Sequence, residues 1–166
     1  MKMHQKLVRD EVVSRILAKG ERCTHHIATS DAEKRDRLGF KLLEEIEEFG
    51  RNKSYEELID VQEVVLRIES FGRHARPSDE AIAEWIGTMP SAEQAEEGLT
   101  AAVYSLMEAG TNYAAHPSDQ TFGELVIELE RVTRITGFDR DTLESMRKHK
   151  VETHGGFEKW IILDEA

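Results

Sequence analysis

Cysteine is nearly absent from this chain: Cys23 is the only one among 166 residues, so no disulfide can form within it and a small cross-linked scaffold is excluded. A lone thiol fits a reducing compartment, and the expected location is cytoplasmic. Long apolar runs are missing too, and Met1 to Asp10 mixes charge with isolated Leu7 and Val8, so neither a membrane span nor a signal-like start is expected. Positive charge is in deficit. With 22 Lys and Arg against 33 Asp and Glu, the net charge of −11 argues against a nucleic-acid polymer or an anionic membrane as main partner. An anionic small molecule stays admissible where a metal and local basic groups reverse the field. Only three prolines interrupt the chain, and 39% hydrophobic with 33% charged residues suits one soluble, helix-rich domain over residues 1–166.

The stretch from Lys41 to Asp60, KLLEEIEEFGRNKSYEELID, carries the strongest signal. Leu38, Leu42, Ile46 and Phe49 recur at helical spacing, Gly50 and Asn52 supply a stop, and Ser54 with Glu57 has the form of a capping box. Leu58, Val61, Val65 and Ile68 then begin a second apolar series. Three-residue steps return to nearly the same helix face, which pairs Glu45 with Glu48 and Glu57 with Asp60. A short turn makes the two helices antiparallel neighbours, so Glu48 lies level with Glu57 and Glu45 with Asp60.

Glu45 also falls on the stripe Leu38, Leu42, Phe49 that should face the core, where carboxylates are rarely found unpaired. Four converging carboxylates repel one another unless a cation compensates, and the economical choice is Mg²⁺ or Mn²⁺, which take oxygen ligands. Runs of Glu on helices are ordinarily solvated, and Glu44 and Glu47, in line with Phe40 and Arg51, fit that description. Two spaced pairs in register across a turn favour a metal site.

The remaining chain reads as helices with extended ends. KLVRD at residues 6–10 is a short extended entry, with Asp10 as N-cap of a helix closed by Gly20. Residues 21–29 form an extended connection whose His25 and His26 lack metal-ligand spacing. Ser30 and Glu33 start the first hairpin helix, and the second runs from Tyr55 to Phe71. A short helix over 79–86, an Ala- and Glu-rich helix introduced by Pro90 and Ser91, a break at 110–119 and a helix over 122–136 follow. Asp141 caps a last helix with a basic end, and Gly155 and Gly156 precede an extended Trp160 to Leu163. Without partners, Lys6 and Arg9 would be surface charges.

Three blocks together, KLVRD at 6–10, LLEEIEEF with EELID within 42–60, and HGGFEKWIIL at 154–163, resemble the all-α MazG-like nucleoside triphosphate pyrophosphohydrolases. The nearest branch is the house-cleaning one related to phosphoribosyl-ATP pyrophosphohydrolase. The resemblance spans residues 1–71 and 122–166, and residues 72–121 are an unmatched helical insertion. It implies an antiparallel helical bundle with short extended N- and C-terminal segments. It further implies Mg²⁺-dependent cleavage between the α and β phosphates of a nucleotide, giving a nucleoside monophosphate and pyrophosphate, by a homo-oligomer. Carried over, Glu45, Glu48, Glu57 and Asp60 hold the metal, and one of them, or Glu44, orients the attacking water. Lys6, Arg9, Lys148, Lys150 and Lys159 become candidates for phosphate contacts, while His154 stands where the branch has Arg. Two rivals exist. A ferritin-like redox bundle needs Glu three residues before His, which none of the seven histidines has. A non-catalytic nucleotide-binding or assembly module on the same fold is the other.

Overall fold

The computed structural model describes residues 3–87 and 95–166. These form β1 Met3–Leu7, α1 Val12–Ala18, β2 Thr24–Ile27, α2 Asp31–Asn52, α3 Tyr55–Gly72, α4 Asp79–Ile86, α5 Ala95–Ala115, α6 Asp119–Thr136, α7 Arg140–His154 and β3 Ile161–Glu165. The chain is mostly helical, as expected, with one small sheet. No helix among the described residues is long and apolar enough to cross a membrane. The expected role of Pro90 and Ser91 as a helix start lies outside the described residues.

Helix starts follow their serines. Ser30 accepts the Glu33 amide and Ser54 the Glu57 amide, each satisfying one orphan donor of a first turn. The stop of α2 differs from expectation. Gly50 stays inside the helix, and the chain reverses at Lys53, which adopts the left-handed conformation at φ 51°. Gly50 matters for packing instead: a Cβ there would stand 3.2 Å from Val103 Cγ1. Across the same interface a Cβ on Gly110 would meet Ile46 Cδ1 at 2.9 Å, so α5 seats directly on α2.

That seat makes α5, the long helix of the expected insertion, part of the body. Ala102, Leu106 and Tyr113 of α5 join Leu42, Ile46 and Phe49 of α2, Val61, Val65 and Ile68 of α3, and Phe122 and Leu125 of α6 in one buried cluster. Helix α7 lies along α3. Burial of this apolar surface, at about 25 cal/mol per Å², is what holds the hairpin carboxylates at a fixed height.

The extended segments are strands of a single sheet in the order β1-β3-β2, with β3 antiparallel to both neighbours. Residues 24–27, expected only as a connection, pair His25 with Leu163 and His26 with Ile162. Asp10 is not the cap of α1, whose N-cap is Glu11. Its carboxylate accepts the amides of Glu158 and Lys159 and so ties the N-terminal segment to the turn before β3. The last helix is likewise capped by Asp139, not Asp141.

His26 bridges two elements: its ring nitrogens lie 2.8 Å from Asp164 of β3 and 2.7 Å from Glu33 of α2. Hydrogen bonds to Asp164 and Glu33 raise its pKa above 6.5. This contribution to stability is therefore whole below pH 6.5 and fades as pH rises through the raised value. An NMR titration is expected to place His26 above 6.5, and Asp164→Asn to bring it down. A His26 that titrates no higher than a free imidazole would show that the bridge does not form.

Candidate metal site

Fixed by the α2–α3 packing, Glu45 points inward from α2 while Glu57 and Asp60 stand on the first two turns of α3. One carboxylate oxygen from each lies within 4.8 Å of the other two. That spread is about twice a metal–oxygen bond, so one hard divalent ion can span it. Glu48, expected as a fourth ligand, is half-buried and outside this trio. Its charge still reaches Glu45, whose proton affinity it raises.

Glu45 shows most directly that the trio suits a cation. Only 5% of the residue is exposed, its Oε1 receives Lys41 Nζ at 2.5 Å, and its Oε2 is buried with no hydrogen-bond partner among the described residues. An orphaned carboxylate oxygen in a dry site is unfavourable, and a bound cation would satisfy it. Burial, against the pull of Lys41, lifts the Glu45 pKa to about 6. Lys41 itself is buried, which favours its neutral form, but Glu45 and then Glu44 and Glu48 outweigh this and keep it charged.

Around the carboxylates stands a collar of cations. Asp60 receives Arg9 Nη2 on Oδ1 at 2.8 Å and Lys150 Nζ on Oδ2 at 2.5 Å. Arg9 is 7% exposed, lies over the Phe157 ring and donates its other terminal nitrogen to the Gly155 carbonyl at 3.0 Å. The three separated sequence blocks thus meet through Arg9, which reaches Asp60 of the second and Gly155 of the third. Lys6 bonds Glu44 at 3.1 Å. Burial works against ionisation of Glu44, but Lys41 and Lys6 hold its pKa below the ordinary carboxylate value.

Of the five expected phosphate contacts, Arg9 and Lys150 are brought to Asp60, with Lys6 beside them on Glu44. The other two engage carboxylates elsewhere: Lys148 meets Glu144 at 3.3 Å and Lys159 meets Glu11 at 3.7 Å, both largely exposed. His154 bonds Thr153 Oγ1, and burial followed by the charges of Arg15, Lys150 and Arg9 lowers its pKa below 6.5. Its charged form is disfavoured, unlike that of the Arg the resemblance supplies there.

Sequence reading missed four participants. Lys41 was legible in principle, four residues before Glu45 on one helix face. Asn52, read only as a stop, donates to Glu57 Oε1 at 2.9 Å. The Glu63–Arg147 pair at 2.6 Å, one turn beyond Asp60, carried no signal because the partners lie far apart in the chain.

Because Glu45 must be deprotonated to bind a metal, Mg²⁺ affinity is expected to be flat above pH 7 and to fall by up to about tenfold per pH unit below 6. Calorimetry in two buffers of different ionisation enthalpy should detect proton release on binding near pH 6 and none at pH 8. Affinity independent of pH between 5 and 8 would remove Glu45 from the ligand set. Compared with known proteins, the chain matches no family model, no curated protein and no solved structure.

Proposed function

We propose that this chain is a Mg²⁺-dependent nucleotide pyrophosphohydrolase that cleaves between the α and β phosphates and releases pyrophosphate, in the manner of the MazG-like house-cleaning enzymes. The observation that carries this reading is the adjacency of the Glu45, Glu57 and Asp60 trio to Arg9 and Lys150. Carboxylates alone attract a cation and repel phosphate; with two cations on Asp60 the same spot accepts both halves of a metal–polyphosphate complex.

Glu45, Glu57 and Asp60 hold the ion, and Glu48 adds charge behind them. Mg²⁺, or Mn²⁺ in its place, supplies Lewis-acid polarisation of phosphate oxygens and a more acidic water. Arg9 and Lys150 turn part of their hydrogen bonding from Asp60 to phosphate oxygens and hold them in place. Glu44, kept ionised by Lys41 and Lys6, or one of the trio itself, orients the attacking water. No side chain need act as a covalent nucleophile. The reading includes a homo-oligomer, for which Phe40 and Tyr104 leave exposed aromatic surface, and a purely monomeric species in light scattering would remove that part.

The test is pyrophosphate release from canonical, deoxy and damaged nucleoside triphosphates with Mg²⁺ or Mn²⁺. Activity is expected with either metal and none in chelator. A second reading has one observation in its favour: Arg9 and Lys150 already satisfy Asp60 without a metal, which suits a binding or assembly module. Nucleotide binding by folded protein without pyrophosphate release across the whole panel would select it.

A further inference from the structure

A second charged cleft lies at the opposite end of the α2–α3 hairpin. Asp60 and Gly72 are twelve residues apart on α3, which places the two regions about 18 Å apart along the helix at 1.5 Å per residue. The cleft encloses about 850 Å³ and is lined from α2 by Asp31 and Arg35, from α3 by Arg67, and from residues 72–121 by Arg73, His74 and Tyr113. The chain as a whole carries a charge of −11, yet three guanidinium groups line this cleft with one carboxylate, Asp31, while Glu158 and Asp119 pair with Arg67 and His74.

The arginines are not equivalent. Arg67 lies over the Trp160 ring at 4.7 Å and bonds Glu158 at 3.0 Å, so its charge is partly met within the fold. Arg35 and Arg73 have no ion-pair or side-chain hydrogen-bond partner among the described residues, and both are exposed to the cleft. Backbone dipoles do not explain the gathering, because α2 begins here while α3 ends here and their end charges oppose each other.

The wall that carries Arg73 is rigid. His74 lies with one ring nitrogen 2.8 Å from Asp119 Oδ1 and the other 2.8 Å from the Tyr113 hydroxyl, and its ring stacks on Phe122. Its Nε2 would stand 2.3 Å from a Cβ on Gly72, so only glycine lets the ring close over the end of α3. Arg35 on α2 and Arg73 on that wall, both unpaired among the described residues, stand with Arg67 to form a receptor for several phosphate oxygens at once.

We propose that this cleft binds a polyphosphorylated small molecule through Arg35, Arg73 and Arg67, at a site separate from the carboxylate trio and built by residues 72–121 together with the hairpin. The inference does not depend on the catalytic reading. Inorganic pyrophosphate is the probe, used in chelator so that no divalent ion can recruit it to the carboxylates. Calorimetry is expected to give submillimolar binding to the wild type, and amide chemical shifts to move at Gly72, Arg73 and His74. Arg35→Ala combined with Arg73→Ala should weaken binding by about tenfold or more. Both side chains are exposed, and a circular dichroism melt verifies that the variant folds. Absence of binding, wild-type affinity in the double variant, or shifts confined to Asp10, Gly155 and Gly156 would each overturn the proposal.

Discussion

Lys41→Met is expected to lower the unfolding free energy in chelator at pH 8 by about 3–5 kcal/mol, the usual loss when one member of a buried ion pair is removed. The pair qualifies: the side chains of Lys41 and Glu45 are 11% and 6% exposed. Methionine keeps most of the volume, so the loss is electrostatic. The pH dependence distinguishes this from packing. The folded-state pKa of Glu45 is raised to about 6, so its contribution is whole below 4.5 and is lost as pH rises through the raised value. Without Lys41 that value moves higher still. At pH 5 the variant should therefore nearly match the wild type. Magnesium at a hundredfold excess over its dissociation constant should return about 2.7 kcal/mol at pH 8 by occupying the same carboxylates. Urea unfolding at the two pH values, with and without Mg²⁺, is the measurement; an equal deficit at both, unmoved by magnesium, would mean that Lys41 serves packing and the trio does not hold a metal.

Glu57→Gln is expected to reduce pyrophosphate release by about 10²–10³-fold, the scale of losing one preorganised electrostatic group at a reacting centre. Its only side-chain partner among the described residues is Asn52, an exposed contact, so stability should change little. Glu48→Gln provides the contrast. Both residues belong to the acidic pairs, but Glu48 lies outside the trio, and its removal should cost about tenfold or less. Kinetics of the two variants, each checked by melting, rank the carboxylates. Equal losses, or a larger one at Glu48, would sink the three-ligand arrangement and restore the symmetric four-carboxylate site.

The hairpin was legible because its information is local. Apolar spacing over Leu38 to Phe49 and Leu58 to Ile68, with a serine cap before each helix, specifies two amphipathic helices and a turn. Glu45 betrayed itself by falling on an apolar stripe. The details that failed are those decided by backbone strain or by distant partners. Lys53 turns the chain through a left-handed conformation that its side chain does nothing to advertise, while the more suggestive Gly50 is reserved for contact with α5. The strand at Thr24–Ile27 is exposed throughout and shows no alternation, so nothing but β3 makes it a strand. The collar was legible only as Lys6 and Arg9 in a block that resembles a family and as Lys150 at the basic end of the last helix. That Arg9 and Lys150 reach one carboxylate, and that Lys148 and Lys159 do not, depends on how α7 lies along α3.

The position of β3 bears on the order in which this protein assembles. It is the middle strand, yet β1 and β2 both precede it by more than a hundred residues of chain. A nascent chain can close the α2–α3 hairpin soon after that stretch has left the ribosome, since its contacts are local. Arg9 can pair with Asp60 as soon as α3 exists, but it lacks its Gly155 and Phe157 contacts, and Asp60 its second cation, until α7 and the turn before β3 have been made. The carboxylates thus exist before the collar around them is complete, and docking of α7 and β3 is the step that finishes the site.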